Sequence, residues 1–98
     1  MTQLDDNTFI DFIKAGPCLL LYETAWCPMC PAVREILAAL GVRCGRLDYD
    51  TCPEAVCLHD VPGVPTVLLL HNGKIEQTLA GLRPPEQYTA LALHLSAK

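Results

Sequence analysis

With 98 residues, 51% of them hydrophobic, the chain can build one compact core and is too short for two. A net charge of −4 leaves no basic footprint for nucleic acid, no apolar run approaches membrane-spanning length, and the opening Met1-Thr-Gln-Leu-Asp-Asp6 has neither the positive nor the apolar stretch of a secretory leader. A soluble, cytoplasmic, monomeric protein with no membrane or nucleic-acid partner is expected, in which six cysteines serve redox or metal chemistry rather than disulfide staples.

In chain order, Asp6 or Asn7 is placed to cap a helix whose Phe9, Ile10, Phe12 and Ile13 share one face and which Gly16-Pro17 ends. The apolar run Cys18 to Tyr22 reads as a short buried strand, and Ala32 to Leu40 as a helix with Val33, Ile36, Leu37 and Leu40 inward, Arg34 and Glu35 outward, and Gly41 as its stop. Val42 to Tyr49 gives the next strand. Asp50 or Thr51 followed by Pro53 opens a short helix through about His59. Thr66 to His71 and Lys74 to Ala80 form a hairpin about Asn72-Gly73, a pair suited to a type I′ turn. Pro84-Pro85-Glu86 starts a last helix with Tyr88, Leu91, Ala92 and Leu95 on its core face; His71 and His94 receive no role.

Between the first long strand and the helix after it lies Thr24-Ala-Trp-Cys-Pro-Met-Cys-Pro31. The start of a helix carries unpaired N–H groups and the positive end of the macrodipole, and both favour a thiolate over a thiol. In such Cys-x-x-Cys pairs a pKa of about 8.5 can fall to roughly 3.5–7.5. Cys27 is therefore expected to attack disulfides, and Cys30, one turn on, to attack the resulting mixed disulfide and release the product. Pro28, at the first helical position, and Pro31 are tolerated there, yet each removes a donor that could face the Cys27 sulfur, leaving the amides of Met29 and Cys30. A moderately depressed pKa and a reducing or intermediate-potential pair are expected. Cys44, Cys52 and Cys57 with His59 admit a zinc site, a Cys52–Cys57 disulfide or ordinary reduced thiols; their spacing matches no paired metal knuckle, so no metal is expected.

Trp26-Cys-Pro-Met-Cys30 after a strand, Leu47-Asp-Tyr-Asp50 at a strand end, Gly63-Val-Pro-Thr66, the run Val67 to Leu70 leading to Asn72-Gly73, and Gly81 after a further strand occur in the order found in thioredoxins. The chain resembles that family from Asp5 onward. The resemblance implies an α/β fold, a thioredoxin-like three-layer α/β/α sandwich forming a single domain over residues 1–98. Only a few polar residues precede the first helix, so a four-stranded mixed sheet is expected, lacking the usual first strand or keeping only a vestige of it.

The same resemblance implies a protein-disulfide reductase working by dithiol-disulfide exchange, with no bound cofactor, disulfide-containing proteins as substrates and a thioredoxin reductase as electron donor. It implies a cis bond before Pro65, with Pro65 against the cysteine pair, Val64 pairing with substrate backbone as an added strand does, and Gly81 letting substrate approach. Trp26, Pro28 and Met29 would complete the docking face. Thioredoxins carry a buried acid six residues before the nucleophile, and that position here is Leu21. Glu23, on the same side of the strand and nearer the motif, is either a substitute general base toward Cys30 or a solvated strand-end carboxylate. The short second helix and Cys-Pro-x-Cys also resemble glutaredoxins, which makes a glutathione-dependent reductase one alternative, although Gly81-Leu-Arg83 lacks the glycine pair and acid that hold the tripeptide. A noncatalytic binding module on the same fold is the other.

Overall fold

The computed structural model describes residues 1–97. In order, its elements are β1 (Thr2–Gln3), α1 (Phe9–Lys14), β2 (Cys18–Glu23), α2 (Cys30–Ala39), β3 (Cys44–Asp48), α3 (Pro53–His59), β4 (Thr66–His71), β5 (Lys74–Ala80) and α4 (Pro85–Ser96). They form one sheet in the order β1-β3-β2-β4-β5, with β2 parallel to β3 and antiparallel to β4.

The central strand β2 explains the arrangement. Its residues Cys18 to Glu23 are all buried, because both faces of the sheet are covered. Alternation sends Leu20 and Tyr22 to a core shared with Phe9 and Ile13 of α1, Ala55 of α3 and Leu47. Leu19 and Leu21 enter the opposite core with Val33 and Leu37 of α2 and Leu91 and Leu95 of α4. A fully buried leucine side chain contributes about 1.5–3 kcal/mol, so these two leucine-rich layers hold the sandwich together.

The sheet has five strands rather than the expected four. The additional strand β1 is two residues long and pairs with β3 in the register Thr2↔Gly45 and Gln3↔Arg46. The Leu4 N–H then donates to the Arg46 carbonyl at 2.9 Å, and Leu4 is buried. Gly45 makes this possible: a Cβ there would collide with Leu4 Cδ1 and lie 3.1 Å from Phe12 Cε2. Composition of the first residues gave no strand signal, since the partner surface that admits Leu4 lies some forty residues away in sequence.

Capping also departs from expectation. Neither Asp6 nor Asn7 is the N-cap of α1; Thr8 is, without a side-chain bond. Asp6 instead accepts from the N–H groups of Glu54 (3.1 Å) and Ala55 (2.9 Å), which are free donors in the first turn of α3. The hairpin turn forms as expected, with φ of 55° at Asn72 and 75° at Gly73.

Candidate active site

Cys27 and Cys30 are joined by a disulfide, with Cα atoms 5.5 Å apart. Helix α2 begins at Cys30, with Met29 as N-cap, so Cys27 lies in the turn before the helix, its N–H 3.4 Å from the Thr24 carbonyl. Pro28 consequently precedes the helix instead of opening it, and Pro31 is the proline within the first turn. Cys27 is 4% exposed and Cys30 fully buried, so an incoming disulfide reaches Cys27 first.

Strand register gathers the remaining residues. Tyr22 of β2 pairs with Thr66 of β4, and Thr66 with Ala80 of β5. The segments leaving this row, Glu23 onward, Pro65 backward and Gly81 onward, emerge side by side at one end of the sheet. The Val64–Pro65 bond is cis, Thr66 Oγ1 donates to the Gly63 carbonyl at 2.7 Å, and the Gly81 N–H donates to the Pro65 carbonyl at 2.7 Å. Gly81 has φ of 78°, a backbone state that glycine adopts without penalty. Gly63 to Thr66, Ala80 and Gly81 line a shallow depression of about 300 Å³.

The segment leaving β2 carries exposed apolar groups. Trp26 is 69% exposed and Met29 42%, and Pro28 is exposed with them. Trp26 does not swing freely, because its Nε1–H donates to Asp50 Oδ2 at 2.7 Å. Leu82, 50% exposed and directly after Gly81, is a further apolar side chain that sequence reasoning did not single out.

Glu23 is not a solvated strand-end carboxylate. It is buried, and its Oε1 accepts from both Nε (2.9 Å) and Nη2 (2.7 Å) of Arg34, while Arg46 Nη1 lies 3.9 Å from Oε2. Arg34 was expected to point outward; helical periodicity correctly takes it off the apolar stripe, but a partner on a strand is invisible to periodicity. Hydrogen bonding to Glu23 pushes the guanidinium further above its ordinary value. Arg34 remains about a third exposed, which limits the net worth of the pair to the order of 1 kcal/mol rather than the roughly 3–5 lost on breaking a fully buried one.

The other four cysteines are free. Burial pushes the Cys18 thiol up to about 11 and the Cys44 thiol up to about 12, which makes both poor nucleophiles at neutral pH. Cys52, at the N-cap of α3, turns into the core while Cys57 faces solvent. His59 is buried, its Nδ1 2.7 Å from the Tyr22 hydroxyl, and among the described residues no group of three His, Cys, Asp or Glu is arranged to hold a metal ion.

Residues 1–93 match the family model described as Thioredoxin. The chain belongs to the thioredoxin family. It is 32% identical over 92 residues to a thioredoxin of Rhodospirillum rubrum, covering 86% of this chain and 88% of that one. With a thioredoxin of Acidithiobacillus ferridurans it shares 29% identity over 93 residues, 88% of this chain and 86% of the other. A solved mutant thioredoxin from Halobacterium salinarum NRC-1 superposes with a TM-score of 0.84 at 19% identity, covering 98% of this chain and 88% of that one. The thioredoxin-like fold and a thiol-disulfide oxidoreductase activity on disulfide substrates follow from this membership and the Cys27–Cys30 pair. No helix among the described residues is long and apolar enough to cross a membrane.

Proposed function

We propose that residues 1–98 act as one thioredoxin-like unit that reduces disulfides in other proteins, with Cys27 as nucleophile and Cys30 as resolving thiol. The Cys27 thiolate attacks one sulfur of the substrate disulfide, forming a mixed disulfide and releasing the other sulfur as a thiolate. Cys30 loses its proton, attacks Cys27 Sγ, and closes the intramolecular disulfide as the second substrate sulfur leaves. Two electrons pass from the pair to the substrate. A thioredoxin reductase returns them, and the working compartment is the cytoplasm.

The single observation that carries this reading is the asymmetry of the pair at the mouth of α2, Cys27 reachable and Cys30 enclosed. Glu23 takes the Cys30 proton: it is the nearly enclosed carboxylate at the end of β2, and its Oε2 has no hydrogen-bonded protein partner among the described residues. Trp26, Pro28, Met29, Val64, Pro65 and Gly81 form the docking face, where Val64 offers backbone groups to an extended substrate segment.

Insulin reduction with a dithiol donor tests the assignment. Cys27→Ser abolishes turnover, whereas Cys30→Ser performs the first step only and accumulates a covalent Cys27–substrate adduct. A Cys27→Ser protein that still forms the adduct reverses the two roles. Recycling by a flavin reductase and NADPH, compared with glutathione alone, identifies the donor.

A further inference from the structure

The Glu23–Arg34 pair spans the redox loop. Glu23 is the last residue of β2 and Arg34 lies in α2 one turn beyond Cys30, so the pair ties together the two elements between which residues 24–29 are strung. Cys30 and Arg34, four apart on the helix, share a face. Both hydrogen bonds from Arg34 fall on a single oxygen, Oε1. Among the described residues the other oxygen has only Arg46 Nη1 at 3.9 Å, outside hydrogen-bond range. Glu23 also lines a polar cleft of about 160 Å³ with Gln3, Thr24, Ala25, Arg34, Arg46 and Asp48, and Thr24 Oγ1 and Arg46 Nε are buried without hydrogen-bond partners among the described residues. With roughly 30 Å³ per water in the liquid, the cleft has room for solvent to carry a proton away.

We propose that Arg34 is a positioning residue for the resolving step: by clamping Oε1 it fixes the carboxylate and reserves Oε2 for the Cys30 proton. The inference rests on the assignment of Glu23 as proton acceptor. In the step concerned, the proton moves from Cys30 Sγ to Glu23 Oε2, the Cys30 thiolate bonds to Cys27 Sγ, and the bond from Cys27 Sγ to the substrate sulfur breaks. The departing thiolate takes a proton from Glu23 or from solvent. Arg34 touches neither sulfur, and its effect passes through Glu23 alone. A lysine in its place supplies the charge but not the fork that sends two N–H groups to one oxygen.

The test mixes reduced protein rapidly with a disulfide substrate, quenches in acid and follows formation and decay of the Cys27 mixed disulfide. In Arg34→Met, formation proceeds at the wild-type rate and decay slows about five- to tenfold; Arg34→Lys recovers part of the loss and keeps the test readable if the methionine variant folds poorly. In a Glu23→Gln background, Arg34→Met causes no further slowing. The proposal is overturned if Glu23→Gln slows decay while Arg34→Met does not, or if Arg34→Met slows a Glu23→Gln protein as much as it slows the wild type, the mark of a merely structural role. Decay unchanged in Glu23→Gln is a separate outcome, which removes the proton acceptor itself.

Discussion

At the scale of single residues, placement and burial together decide what the chemically capable side chains can do. Six cysteines offer six thiols on paper; Cys27 and Cys30 are as buried as Cys18, Cys44 and Cys52 but are joined to each other at the entry to α2, whereas the other three remain free in the core and Cys57 stands on the far end of α3 from its nearest cysteine in sequence. His59 is a similar case: enclosed against Tyr22 and Phe9, it resists protonation, and desolvation holds its pKa below the ordinary 6.5. The unfolded chain therefore takes up a proton that the folded chain refuses as the pH falls through about 6.5. The fold should have its full stability above that value and lose part of it on acidification. His59→Phe preserves the ring packing and leaves the Tyr22 hydroxyl with the Ala55 carbonyl at 3.3 Å. Urea midpoints at pH 7.5 and pH 5 should differ less in the variant than in the wild type; an equal difference assigns the acid sensitivity elsewhere.

At the scale of elements, patterning was legible wherever a face is buried and illegible wherever an end is satisfied from a distance. The strand Cys18 to Tyr22 follows from a continuous apolar run, the hairpin from the Asn72-Gly73 turn pair and the apolar face of α4 from a period of 3.6, all of which local sequence carries. The start of α2 and the caps do not follow so simply. Asp6 had the right chemistry for a cap and the wrong helix was inferred, because a carboxylate serves whichever free N–H groups folding brings near it. Asp6→Ala removes acceptors from two first-turn amides of α3 and should cost about 1 kcal/mol, within a usual range of about 0.5–2. For a domain of this size that is a fall of roughly 4–8 °C in melting temperature, read by circular dichroism. No change in melting would mean that solvent satisfies the Glu54 and Ala55 amides equally well.

At the scale of the whole molecule, the proposed docking face depends on the sheet order, which sets β2 beside β4 and β4 beside β5. Trp26 and Met29, Val64 and Pro65, and Gly81 belong to three separate stretches that the Tyr22–Thr66–Ala80 row brings to one edge. Met29→Ala strips an exposed apolar contact from that face. A loss of about 1 kcal/mol raises KM for insulin roughly fivefold, whereas the rate with hydroxyethyl disulfide, too small to cover the face, stays as it was; an unchanged KM for insulin excludes Met29 from docking. The sequence by itself determined the family, the sandwich and the redox pair, because the Cys-x-x-Cys spacing, the apolar runs and the turn residues are local and each constrains its own segment. Only the tertiary structure decided the fifth strand, the Asp6 cap, the Trp26–Asp50 bond and the Arg34 clamp on Glu23. Each of these is made by hydrogen-bonding groups of residues apart in sequence, and such bonds carry no periodicity; their partners are chosen by the geometry that burial of the two cores imposes.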